Sequence, residues 1–122
     1  MKIYRKLKTI WRQLTMVTFG SLVMSGCILT MEGTPTPIAY NDRFSTSFFT
    51  PVDMDVLGND EGMDLNISII SPPLHGVVEV DNYLGLITYS PDYGFYGMDS
   101  FEYVITDPYS ISSSAKVFVY VD

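Results

Sequence analysis

The chain has 122 residues, with 7 basic and 14 acidic side chains, one cysteine and one histidine. That length holds one small domain, and a single Cys and a single His exclude a disulfide framework, a Cys/His zinc site and a Cys–His catalytic pair. From Cys27 onward two basic side chains stand against fourteen acidic ones, a net charge of −12 that repels phosphate backbones and argues against a nucleic-acid partner.

The basic residues are concentrated at the start. Lys2, Arg5, Lys6, Lys8 and Arg12 precede an apolar run, Leu14–Met24, which leads into Ser25-Gly26-Cys27. A basic flank, a short apolar core and small residues at a cut are the parts of a secretory signal. Val23-Met24-Ser25-Gly26-Cys27 resembles the lipobox of bacterial lipoproteins, with Met24 where Leu is usual. The resemblance implies export by the general pathway, removal of residues 1–26, a diacylglyceryl group on the Cys27 thiol and a membrane reached through that lipid. Two or more acyl chains, at about 0.8 kcal/mol per buried CH₂, anchor stably where one is marginal. Ile28 after the cysteine, where an aspartate would retain the protein, implies outer-membrane delivery by the same resemblance. The alternatives are ordinary signal-peptide cleavage or an uncleaved span over Leu14–Met31, which its Thr, Ser and Gly residues disfavour.

Residues 27–36 then read as the lipidated cysteine and a short spacer, because Pro35 and Pro37 hold the backbone extended. From residue 37 to 122 the pattern is one of strands. Asp53, Asp55, Asp60, Glu61 and Asp64 crowd a loop early in this region. Asn66-Ile67-Ser68-Ile69 alternates polar and apolar residues, as does Val78-Glu79-Val80-Asp81. Between these, His75 follows Pro72-Pro73 and reads as a turn residue. Asp81–Gly85 separates Val77–Val80 from Leu86–Tyr89 at a hairpin length. Phe101–Thr106 and Val117–Val121 have the β-branched and aromatic composition that strands prefer. Prolines 51, 72, 73, 91 and 108 sit between the runs, and no segment after Cys27 keeps helical spacing over three turns. The expectation is all-β, an antiparallel sandwich of about seven strands.

Several fragments resemble the bacterial Ig-like, cadherin-like repeat of tandem-repeat surface adhesins. They are Pro37-Ile38-Ala39-Tyr40-Asn41-Asp42, Asp55-Val56-Leu57-Gly58-Asn59-Asp60, and Pro72-Pro73-Leu74-His75-Gly76-Val77-Val78. Ile87-Thr88-Tyr89-Ser90-Pro91, the stretch from Gly94-Phe95-Tyr96-Gly97 through Asp99 and Phe101 to Tyr103, and Val104-Ile105-Thr106-Asp107 complete the match. The resemblance implies a single Ig-like (cadherin-like) sandwich over 37–122 and a non-catalytic binding, adhesion or structural role in the cell envelope. These 122 residues show no internal repeat, so a truncated relic of a larger repeat adhesin is an alternative.

The acidic loop raises calcium, which takes about six to eight oxygen ligands. An EF-hand loop fails, since Leu57 falls on a ligand position when Gly58 is aligned to the invariant glycine. By resemblance to cadherin-like repeats the candidate ligands are Asp42, Asn59, Asp60 and Asp107, giving calcium-dependent adhesion as an alternative; a solvated acidic turn, with no cofactor, is the other reading. Tyr93, Phe95, Tyr96 and Tyr109 are candidates to stack on an unidentified glycan or protein, or else to close the ends of a small core. Nothing marks a catalytic cleft, and no catalytic residue is assigned.

Overall fold

Period-two alternation along seven strands builds two facing sheets: β1 (Asp42–Thr46), β2 (Val52–Met54), β3 (Asn66–Ser71), β4 (Gly76–Asp81), β5 (Leu86–Pro91), β6 (Gly97–Thr106) and β7 (Ser112–Val121). The structure, a computed structural model, describes residues 33–122; the signal-like leader, Cys27 and most of the spacer lie outside the described residues. Residues Pro35–Asp122 form one unit with its own core. A four-stranded sheet has the order β1-β7-β6-β3, and a three-stranded sheet the order β2-β5-β4. The only helical turn among the described residues is a 3-10 turn at Val56–Gly58.

The core lies between the sheets. Ile67, Phe101, Tyr103, Ile105, Val117, Val119 and Val121 of the larger sheet meet Met54, Ile87 and Tyr89 of the smaller one, with Val56 beside them. Each such side chain contributes about 1.5–3 kcal/mol when fully buried. On β6, Phe101 and Tyr103 face inward and Glu102 turns to the other face, as alternation requires. The β4–β5 hairpin pairs Asp81 with Leu86, so its loop is Asn82–Gly85.

One pairing departs from an all-antiparallel sandwich. β1 runs parallel to β7, from Asp42 opposite Val117 to Thr46 opposite Val121. No hairpin joins these strands, so nothing local forces antiparallel order; β1 leaves its sheet through a loop that delivers β2 to the other one.

Two side-chain devices finish the frame. The Asn82 amide accepts from the Ile67 N–H at 2.6 Å and donates to the Ile67 carbonyl at 3.1 Å, covering part of the free edge of β3. A Cβ on Gly76 would stand 2.6 Å from the Tyr89 ring and 2.7 Å from the Ser90 carbonyl, so glycine alone fits where β4 crosses that ring.

Candidate functional site

The parallel β1–β7 pair gives the sandwich two chemically different ends. The chain arrives at the proximal end, where the Ala39 N–H donates to Ser113 Oγ near the start of β7. It finishes at the distal end, where the Phe48 N–H donates to the Asp122 carbonyl at 2.7 Å.

At the proximal end an acidic loop closes over a buried tyrosine. The Tyr103 hydroxyl lies 2.8 Å from Asp60 Oδ2 and 3.2 Å from Asp42 Oδ2, so its single proton goes to Asp60, the nearer acceptor. Asp60 Oδ1 accepts from the Tyr40 N–H at 2.8 Å. Burial first, and then the Asp60 acceptor, push the Tyr103 hydroxyl far above the usual phenol range, which keeps it a donor. Asp42 is pushed up to about 6, mainly by partial desolvation and next by the neighbouring Asp60 charge. Asn59 donates to the Asn41 carbonyl at 3.3 Å, and Ile38 and Glu61 exchange backbone hydrogen bonds. The loop thus latches the arriving chain to the sandwich.

Of the four calcium candidates, Asp42, Asn59 and Asp60 come together here. Asp107 is engaged in the β6–β7 turn, where its Oδ1 accepts from the Tyr109 and Ile111 N–H groups, both at 2.9 Å. Both Asp60 oxygens already accept protein hydrogen bonds. Among the described residues no group of three or more His, Cys, Asp or Glu side chains is placed to hold a metal ion. As placed, the Asp60 and Asp107 carboxylates serve hydrogen bonds within the domain, and calcium would need several such oxygens to converge.

The distal end has its own buried tyrosine–aspartate pair. Asp99, only 4% exposed, accepts from the Tyr89 hydroxyl at 2.8 Å and from the Leu74, His75 and Ser100 N–H groups. Burial and then Asp99 raise the Tyr89 hydroxyl above the usual phenol range, so it too remains a donor. Asp99 thereby fixes the Pro72–His75 loop, and the His75 carbonyl accepts from the Asp92 N–H at 2.9 Å. The His75 ring lies flat on Phe95, with centroids 4.3 Å apart. The lone histidine is a turn residue packed on an aromatic, as its position after two prolines suggested.

Two loops carried by this frame bring four aromatic rings together. Phe48 and Tyr96 stack at 4.8 Å with planes 5° apart. Tyr93 lies 5.5 Å from Phe48 and meets Phe49 edge-on at 5.4 Å. Tyr93 is 79% exposed, Tyr96 61% and Phe49 59%. Gly94, at φ 89°, makes the tight turn between Tyr93 and Phe95 that a side chain would resist. The four aromatic candidates therefore divide three ways. Tyr93 and Tyr96 are in the cluster; Phe95 turns inward onto His75 and the core; Tyr109 is exposed on the β6–β7 turn.

Phe48 and Phe49 supply two of the four rings and were not among the sequence candidates. Alternation gave no signal for them, because both lie in the turn after β1, with Phe49 at φ 51° and the Thr50 N–H bonded to the Ser47 carbonyl.

The Bacterial Ig domain family matches residues 34–120. No curated protein matches the sequence. Among solved structures, an endo-fucoidan hydrolase from glycoside hydrolase family 107 superposes with a TM-score of 0.52 at 19% identity, over 80% of this chain and 15% of its own. A SusE-like surface located polysaccharide binding protein from the heparin utilisation locus of Bacteroides thetaiotaomicron gives 0.49 at 12% identity, over 73% of this chain and 15% of its own. The first similarity is one of fold alone, and the chain spans about 15% of the length of either protein.

Proposed function

The chain belongs to the Bacterial Ig domain family, and from that premise we propose that it is a non-catalytic binding module of the cell envelope, tethered by lipid at Cys27 and engaging a partner through its distal end. The observation that carries the reading is the exposed Phe49, Tyr93 and Tyr96 cluster at the end opposite the arriving chain. A lipid on Cys27 would hold the proximal end toward the membrane and leave the aromatic end facing away. The lipobox-like Val23–Cys27 stretch and the short spacer support this orientation. Delivery to the outer membrane follows from Ile28 by the same resemblance.

Fractionation of a bacterium producing the full chain tests the reading. The native protein partitions with membranes and incorporates labelled fatty acid, whereas Cys27→Ser is recovered in the soluble fraction without label. Unchanged membrane attachment of Cys27→Ser would sink the lipid tether.

A further inference from the structure

We propose that the Phe48–Phe49–Tyr93–Tyr96 cluster is a stacking platform for an uncharged polysaccharide. The inference rests on the envelope-module reading and names the ligand class of its distal end.

Ring chemistry points to the ligand. The face of an aromatic ring carries partial negative charge, and the C–H-rich face of a pyranose carries partial positive charge and is apolar. The two lie flat on each other, while tyrosine hydroxyls reach the sugar's edge. Tyr93 and Tyr96 supply such hydroxyls.

The platform is held in place before a ligand arrives. Phe48 is tied to Asp122, Thr46 Oγ1 donates to the Thr50 carbonyl at 2.7 Å, and the Thr50 N–H closes on the Ser47 carbonyl at 3.1 Å. Phe49 sits at φ 51°, in the left-handed region that a bulky side chain rarely adopts. Asparagine or glycine would suit that backbone better, yet the position carries a ring that is mostly exposed. Rings held in this way lose little freedom on binding.

Charge and size select among occupants. Arg43 and Lys116 are the only basic residues from Cys27 onward, and both lie on strands of the larger sheet. Asp92 and Asp122 flank the rings instead, so an anionic polysaccharide or an anionic lipid surface would be repelled. The platform also lies nine residues along β7 from Ser113, beside which the chain arrives. That is roughly 30 Å at the rise of a strand, which sets the rings at the end of the sandwich opposite the arriving chain. The exposed ring area is roughly 400–500 Å², from about 200 Å² per ring. A stable protein interface needs about 800 Å² per partner, whereas a few sugar units need far less.

The test is affinity electrophoresis of the full chain, in a detergent with no sugar head group, through gels containing neutral polysaccharides (β-glucan, mannan, xyloglucan) or the polyanion heparin. The expected result is retardation by at least one neutral polymer and none by heparin. Tyr93→Ala and Phe49→Asn should each weaken binding about five- to tenfold, the effect of one stacked ring. Phe49→Asn should leave the melting temperature within about 4 °C of the native value, since relief of the backbone offsets the lost ring contacts. A ring that only closes the core would show a lower melting temperature with binding unchanged, and that result overturns the proposal. No retardation by any neutral polymer, retardation by heparin alone, or self-association lost in Tyr93→Ala would each overturn it. If membrane attachment still depends on Cys27 in that event, the envelope-module reading stands and only the ligand class falls.

Discussion

The two ends of this sandwich are built on the same device and finished differently. At each end a buried tyrosine from one sheet donates to an aspartate at 2.8 Å: Tyr103 to Asp60 proximally and Tyr89 to Asp99 distally. At the proximal end the aspartate sits on a loop, so the pair closes that loop over the arriving chain. At the distal end the aspartate sits on β6 and gathers a neighbouring loop through the Leu74 and His75 N–H groups, besides accepting from Ser100 on its own strand. That leaves the outermost loop residues without core duties, and there the aromatic rings are displayed. A hydrogen-bonded acid seals one end and scaffolds a surface at the other.

The largest effect should come from breaking the distal pair. Asp99→Ala would leave the Tyr89 hydroxyl and three backbone N–H groups without their acceptor in a buried place, costing about 3 kcal/mol or more. In a domain of this size the melting temperature should fall by roughly 12 °C or more; a smaller drop would mean that water replaces the carboxylate. Tyr103→Phe, at the proximal end, should cost about 2 kcal/mol, because one hydrogen bond to a charged acceptor is lost while Asp60 keeps the Tyr40 N–H. Chemical denaturation of the two variants side by side measures the asymmetry directly. Equal losses would break the distinction between latch and scaffold.

The acid–base behaviour of the ends should also differ. Asp42 holds its proton more tightly in the folded state, at about 6 against an ordinary 3.8. Its contribution to stability is therefore fully present below about pH 4 and is lost as the pH rises through 6. Asp42→Asn should flatten that part of the stability profile and gain on the native protein above pH 6; a native profile that rises from pH 4 to 6 with no gain in the variant would contradict the crowding of Asp42 and Asp60. The smallest expected effect is that of calcium. Melting curves of the full chain in millimolar calcium and in chelator should coincide. A bound ion at a hundredfold excess over Kd would add about 2.7 kcal/mol, and a shift absent with magnesium would mean that the proximal acids gather into a site on binding.

Much of this was legible from the residues. The alternation at Asn66–Ile69 and Val78–Asp81 and the aromatic and β-branched runs of β6 and β7 all survive in the structure, and the hairpin read at 81–85 is present with a loop one residue shorter, because Asp81 pairs with Leu86. The inward turn of Phe101 and Tyr103 followed from period two alone. The proximal acids were picked out as a group, and three of the four candidates meet there. Asp99 was named only as a position of the resembling Gly94–Tyr103 stretch and given no role, because nothing local in Met98-Asp99-Ser100 distinguishes a solvated aspartate from one that collects four donors. Its role depends on Leu74, His75 and Tyr89, which reach it from other parts of the chain.

The amino-acid sequence by itself determined the all-β class, the positions of β3 to β7, the acidic character and the signal-like composition of the leader, since each rests on periodicity or composition within a few neighbouring residues; β1 and β2 were not placed. Tertiary structure alone decided that β1 runs parallel to β7 and that Phe48-Phe49 meets Tyr93 and Tyr96. Those outcomes depend on which strands pair and where their loops return. Such pairings bring together residues more than forty positions apart, and no local pattern records them.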